Sequence, residues 1–160
     1  IECEIAARLA RDVHPDAVPE SGEGLRDAVG SYRAAVELVA DRYVDWRKTD
    51  AATLIADDYF AAGAMLGPEV PAAAAGDVAA CVGTTVVNGE ERGRGRGADV
   101  LGHPLNALAW LARSLAERGT FLRAGEIVLT GSLVETKWLK AGDDVRVAVS
   151  GLGEIRFRVV

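Results

Sequence analysis

The chain opens on an alternating pattern: Ile1, Cys3 and Ile5 fall on one side and Glu2, Glu4 and Ala6 on the other, the period of a β-strand running over Ile1 to Leu9. Asp12 to Gly24 carries turn formers in quick succession and reads as a loop, with a short helix expected from Glu23 to about Tyr32. Ala35 to Arg42 is apolar and β-compatible, Trp46 to Asp50 leads into a short helix at Ala51 to Ala56, and Tyr59 to Leu66 reads as buried. Val78 to Val87 followed by Asn88-Gly89 predicts a hairpin, because both central positions of a type I′ turn need positive φ. Its second strand starts near Glu90.

The clearest helix is His103 to Arg118. Pro104 suits its first turn, Leu105, Leu108, Ala109, Ala112 and Leu115 share one face, and Gly119 ends it. Such a stripe is expected to lie against a sheet. Glu126 to Thr130, Val145 to Val149 and Ile155 to Val160, separated by Ala141-Gly142-Asp143 and Gly151-Leu152-Gly153, form a tail of short antiparallel strands. The pattern is that of a β-rich α+β chain.

With 160 residues, 49% of them hydrophobic, the chain reads as one domain able to bury its own core. A net charge of −6 with scattered basic residues argues against a nucleic-acid or anionic-membrane surface. No apolar run approaches a bilayer span. Cys3 and Cys81 make neither a disulfide framework nor a zinc site, so a reducing compartment, by default the cytoplasm, is expected. The first residue is Ile1, inside what reads as a strand, which suggests a preceding segment that was removed or lies on another chain.

Three carboxylates stand out. Glu2 and Glu4 share one face of a strand, and Glu37 sits within Ala35-Val36-Glu37-Leu38-Val39-Ala40, where its neighbours suggest burial. One reading places Glu2 and Glu4 on a solvent-facing edge and pairs Glu37 with Arg42 or Arg33. The other gathers all three on one hard divalent cation, since oxygen-only ligation selects magnesium, manganese or calcium. Three monodentate carboxylates would leave three octahedral positions open, room for a 2-oxo acid to chelate through a carboxylate and its keto oxygen. Periodicity leaves both readings open.

At this point several segments resemble the fumarylacetoacetate hydrolase superfamily. IECEIA resembles its E-x-E strand, and AAVELVADRYVDW resembles the next motif, with a third acidic ligand ahead of an acidic-Arg pair and a tryptophan. IADDYFAAGAMLG, VNGEERGRGRGADVLGHPLNALAWLARSLAERG, LRAGEIVLTGSL and LKAGDDVRVAVSGLGEIRFRVV are similar, in order and spacing, to the 2-hydroxypenta-2,4-dienoate hydratase and 4-oxalocrotonate decarboxylase branch.

The resemblance implies a mixed β-sandwich roll with a few helices and a homo-oligomer. It implies Mg²⁺ or Mn²⁺ held by Glu2, Glu4 and Glu37, and a pocket lined by Thr130-Gly131-Ser132. It implies a lyase of aromatic catabolism that hydrates or decarboxylates a small 2-oxo or 2-hydroxydienoic acid, with the metal stabilising an enolate. Residues 1–160 then form the catalytic C-terminal lobe, with the family's N-terminal lobe, which brings a lysine in the hydratases, absent or on another chain.

Two segments depart from the family pattern: Ala56-Asp57-Asp58-Tyr59 replaces an Asp-Asn pair, and Val134-Glu135-Thr136-Lys137-Trp138 is bulkier and more charged than usual. Within the second, Lys137 is a candidate to orient an anionic substrate, against the plainer reading of an exposed loop lysine, and Trp138 a candidate pocket wall. The rival to a lyase is a repurposed member, with new chemistry or a binding role after losing the N-terminal lobe.

Other conspicuous residues have plainer readings. His103 is read as a helix start rather than a general base, His14 as exposed, and Asp57 and Asp58 as capping or turn residues. Trp46 and Trp110 are expected in the core. Arg92 to Gly97 is read as a solvated loop rather than an anion grip. No Ser-His-Asp order, P-loop or dinucleotide fingerprint is present.

Overall fold

A computed structural model describes residues 1–160. Two sheets face each other. The first takes the order β3-β2-β1-β7, with β4 also on β2, from β1 (Glu2–Leu9), β2 (Val29–Val39), β3 (Ala61–Leu66), β4 (Val70–Pro71) and β7 (Ile127–Val134). The second takes the order β6-β5-β8-β9, from β5 (Val82–Val87), β6 (Glu90–Arg96), β8 (Asp144–Val149) and β9 (Gly153–Arg158). Helices α1 (Ala51–Ala56), α2 (Ala72–Ala75) and α3 (Pro104–Glu117) lie in the connections. This is the β-rich α+β sandwich with few helices that the sequence predicts. No helix is long and apolar enough to cross a membrane.

The core lies between the sheets. Cys3, Ile5, Ala7 and Leu9 of β1 and Ala34 and Val36 of β2 meet Val145, Val147 and Val149 of β8 in one buried cluster. Strand alternation then sends Glu2, Glu4 and Glu37 to the opposite face of the first sheet. Glu37 is therefore flanked by inward-facing apolar residues without lying among them. Cys3 and Cys81 are free and buried.

The Asn88-Gly89 hairpin is as predicted, with φ of 53° and 84° at its two central residues. Helix α3 also matches: Leu105, Leu108, Ala109 and Ala112 are buried, and the helix packs against β7 and the 3₁₀ segment Gly22–Ala28. His103 caps it, its Nδ1 accepting from Leu105 N–H at 3.0 Å, which is the structural role expected of it.

Several expectations are corrected. The helix expected over Glu23 to Tyr32 is a 3₁₀ segment ending at Ala28, because the run from Val29 continues as β2 through Val39. The first hairpin strand begins at Val82, not Val78. Tyr59 to Leu66 is not buried: β3 is an edge strand pairing only with β2, and Leu66 is 40% exposed. Trp110 is 61% exposed, since it projects from the side of α3 away from the Leu105–Leu108–Ala112 stripe. Trp46 is half-buried in a 3₁₀ turn outside the core.

Arg92 to Gly97 is no loop either. It forms most of β6, where the glycines let the strand run against β7: a Cβ on Gly95 would sit 1.7 Å from the Leu133 carbonyl oxygen. The intervening arginines take carboxylate partners where they have any, as Arg94 does with Glu91 at 2.6 Å.

Candidate metal centre

The carboxylate cluster follows from strand geometry. Glu2 and Glu4 are two residues apart on β1 and so share a face, and the antiparallel register sets Glu37 of β2 directly opposite Glu2. One carboxylate oxygen from each of the three lies within 4.8 Å of the others. Two oxygens on one Mg²⁺ stand at most about 4.2 Å apart, twice its bond length, and on Ca²⁺ somewhat more. The donor set, three hard oxygens, suits such a cation.

The plainer readings of these carboxylates are corrected. Glu4 is buried, only 2% exposed, not on a solvent-facing edge. Neither arginine offered to Glu37 pairs with it. Arg33 pairs with Glu69, and Arg42 grips Asp57 with Nε 2.9 Å from Oδ1. Burial pushes the Glu4 carboxyl up to about 8; the Gly131 N–H pulls it down, and Glu37 and Glu2 add to the rise. A crowd of carboxylates without a cationic side chain among them is the electrostatic arrangement a metal ion relieves.

Two contacts that sequence reasoning did not single out hold the cluster in place. The Gly131 N–H donates to Glu4 Oε2 at 2.8 Å, and the Thr136 hydroxyl donates to Glu2 Oε1. Gly131 lies inside the Thr130-Gly131-Ser132 segment, but its role belongs to the backbone, which residue type does not advertise. Thr136 reaches Glu2 because Lys137 N–H donates to the Ile1 carbonyl at 2.9 Å, laying this stretch beside β1.

A cavity of about 420 Å³ opens beside Glu2, Glu37 and Thr136. Its remaining lining is Val39, Asp41 and four aromatic rings: Trp46, Tyr59, Phe60 and Trp138. Trp138 was anticipated as a wall. The three other predicted substrate residues lie outside this lining. The Thr130 hydroxyl donates to the Ile5 carbonyl at 2.9 Å and that of Ser132 to the Val134 carbonyl at 2.6 Å. Lys137 Nζ stands 3.7 Å from Glu135 and its stem crosses Gly93, so it borders a neighbouring depression with Arg92 and Lys140.

Backbone strain helps build the aromatic wall. Asp58, Tyr59 and Phe60 have φ of 57°, 50° and 73°, three successive non-glycine residues in the left-handed region, each costing on the order of 1–3 kcal/mol. Contacts on either side hold the turn. Arg42 bonds Asp57, and the Phe60 ring packs edge-on against Tyr43 and Trp46 with centroids 5.9 Å apart in both cases. The turn brings Tyr59 and Phe60 to the cavity.

Sheet order, the carboxylate cluster and the adjoining cavity define a β-sandwich with a candidate divalent-metal site. Residues 1–160 match the family described as fumarylacetoacetate (FAA) hydrolase C-terminal, and the chain belongs to that family. It is 38% identical over 156 residues to a 2-keto-4-pentenoate hydratase of Burkholderia vietnamiensis, a match covering 98% of this chain and 58% of the relative. It is 34% identical over 125 residues to a 4-oxalocrotonate decarboxylase of Pseudomonas putida, covering 78% of this chain and 47% of the relative. Among solved structures, 4-oxalocrotonate decarboxylase from Pseudomonas putida G7, complexed with magnesium and adipate, aligns with a TM-score of 0.91 at 29% identity over 99% of this chain and 59% of that one. The chain thus matches between 47% and 59% of the length of these relatives.

Proposed function

We propose that Glu2, Glu4 and Glu37 hold one divalent cation, Mg²⁺ or Mn²⁺, and that this chain is the catalytic lobe of a lyase hydrating or decarboxylating a small 2-oxo or 2-hydroxydienoic acid. The observation that carries the reading is the convergence of three carboxylates, without a basic side chain among them, two of which, Glu2 and Glu37, line a cavity. The hydratase and decarboxylase relatives and the magnesium-bound neighbour support it.

When bound, the cation supplies positive charge for the carboxylate and 2-oxo oxygens of such an acid. The chain's residues do the rest of the positioning. Gly131 and Thr136 fix the orientation of Glu4 and Glu2, and the aromatic rings line the far side of the cavity. Thr130, Ser132 and Lys137 remain proposed as substrate contacts, the first two through the segment that carries the Gly131 N–H.

We extend the proposal to a homo-oligomer working in the cytoplasm on acids from aromatic catabolism, with an N-terminal lobe completing the pocket, as the greater length of the relatives suggests. The deciding experiment titrates Mg²⁺ and Mn²⁺ into the wild type and Glu37→Gln by calorimetry and follows consumption of 2-hydroxypenta-2,4-dienoate. Glu37→Gln should weaken metal binding about tenfold or more and abolish turnover. Unchanged affinity and turnover would remove Glu37 from the ligand set.

A further inference from the structure

Next to the acidic cavity lies a depression of the opposite charge. It measures about 600 Å³, and Arg92, Lys137 and Lys140 line it together with Asp143 and the Trp138 ring. Thr136 and Trp138 line both spaces, so the short segment they bound is a shared wall. Two of the chain's three lysines stand here, in a protein of net charge −6, so the grouping is not the background composition of the surface.

The backbone builds this grouping. A Cβ at Gly93 would stand 2.2 Å from Val134 Cγ1 and 3.0 Å from Lys137 Cε, so the bare glycine lets the Lys137 stem lie across β6 next to Arg92. Lys140 starts the turn that leads into β8, and Asp143 closes that turn by accepting from the Lys140 N–H at 3.0 Å. The other Asp143 oxygen accepts from Asn88 Nδ2 at 2.8 Å, so both oxygens of the one carboxylate in the lining are already bonded. Three cations against that carboxylate give the lining a net charge of +2. Outside it, Glu135 stands 3.7 Å from Lys137 and Glu90 3.5 Å from Arg92, with side chains 95% and 76% exposed, so water screens both pairs.

Cations gathered around one depression repel each other, and a bound oxyanion relieves that repulsion. Arg92 presents a planar fork for two oxygens, the lysines present point charges, and the exposed Trp138 ring presents a flat face to the carbon part of a ligand. A single carboxylate neutralises half of the lining's charge, whereas a phosphate monoester, close to dianionic at pH 7, matches it. We infer that this depression is a second ligand site, for a small phosphate-bearing molecule, and that it acts on the metal centre through the shared wall. Three hydrogen bonds make the link: the Ile1 nitrogen donates to the Lys137 carbonyl and the Lys137 N–H to the Ile1 carbonyl, each at 2.9 Å, and the Thr136 hydroxyl donates to Glu2. An anion that fixes Lys137 fixes this wall and with it the orientation of Glu2, and its charge attracts a cation at the carboxylates. Both effects tighten the cation, and by reciprocity the cation tightens the anion. The coupling rests on the metal-site reading above; the anion site does not.

The test titrates inorganic phosphate, phenyl phosphate and acetate into the metal-free full-length protein by calorimetry at low salt. Phenyl phosphate should bind more tightly than phosphate, and acetate about tenfold more weakly than phosphate or worse. Arg92 and Lys140 are exposed and line the depression but not the cavity, so replacing them spares the core and the metal ligands. Arg92→Ala and Lys140→Ala should each weaken phosphate about threefold to tenfold, and NaCl at about 1 M should weaken it further. In a second titration, saturating phosphate should tighten Mg²⁺ about threefold or more in the wild type but not in the Arg92→Ala/Lys140→Ala double variant, which controls for phosphate complexing Mg²⁺ in solution.

Phosphate bound equally by the wild type and the double variant, or by neither, would overturn the anion site. Phosphate binding that leaves Mg²⁺ affinity unchanged would overturn the coupling alone. Failure of Mg²⁺ to bind with or without phosphate would overturn the metal-site reading and the coupling with it, while the metal-free phosphate titration still decides the anion site.

Discussion

Glu2 of β1 lies directly opposite Glu37 of β2 in the antiparallel ladder, so two carboxylates occupy a cross-strand position where like charges repel. In the metal-free protein this pair costs stability, on the order of 0.2–1 kcal/mol. Glu37→Gln should therefore raise the metal-free melting temperature by a degree or more, and the rise on adding Mg²⁺ that the wild type shows should vanish. Differential scanning calorimetry with and without Mg²⁺ reads both effects. A variant less stable than the metal-free wild type would show that the pair is not repulsive.

The Thr136 hydroxyl donates to Glu2 and makes no other hydrogen bond within the chain. Thr136→Val keeps the shape and removes the donor, so metal affinity should fall about tenfold to a hundredfold, as is usual for groups that orient a ligand. Thr136→Ser should restore it. Metal titration of the three proteins decides the matter, and equal affinities would leave Thr136 without a positioning role.

Gly95 is the tightest point between β6 and β7. Gly95→Ala places a methyl where the Leu133 carbonyl oxygen is 1.7 Å away, so the strands must separate, at a cost of about 1–3 kcal/mol or more. Arg94→Ala next to it removes only a surface pair with Glu91 and should change stability by less than about 0.5 kcal/mol. Urea unfolding of both variants measures the contrast, and similar midpoints would contradict the close approach.

Asp143 accepts from Lys140 N–H at 3.0 Å and from Asn88 Nδ2 at 2.8 Å, bonds that tie the turn before β8 to the hairpin. The Lys140 N–H, followed by Asn88, holds its carboxyl below the usual range. Because the folded value lies below the unfolded one, the ionised group adds stability above the unfolded pKa, near 3.9, and that addition is lost as pH falls through the folded value. Asp143→Asn should accordingly be less stable than wild type at pH 7, with the difference shrinking below about pH 4. Thermal unfolding across that range checks the sign; a constant difference would mean that the charge contributes nothing.

Local pattern carried much of the fold. The period of two in Ile1 to Leu9, the Asn88-Gly89 turn and the apolar stripe of His103 to Arg118 each depend on neighbours a few residues away, and each took the structure expected of it. The misreadings share a cause. Trp110, Tyr59 to Leu66 and the glycines of β6 are ambiguous until the layer beside them is known: an aromatic ring on a helix reads as core, an edge strand as buried, a glycine run as loop.

The site divides along the same line. That Glu2 and Glu4 share a face is fixed by strand geometry, and the sequence alone determined it, while resemblance to a family put Glu37 with them. Only the tertiary structure set Glu37 opposite Glu2, because register between strands is decided by which faces are buried across the whole sheet. Only it showed the Gly131 N–H on Glu4, Thr136 on Glu2, and a wall gathered from Trp46, Tyr59, Phe60 and Trp138. Backbone donors look alike in every sequence, and rings far apart along the chain become one surface only when the sheets and turns that carry them pack together.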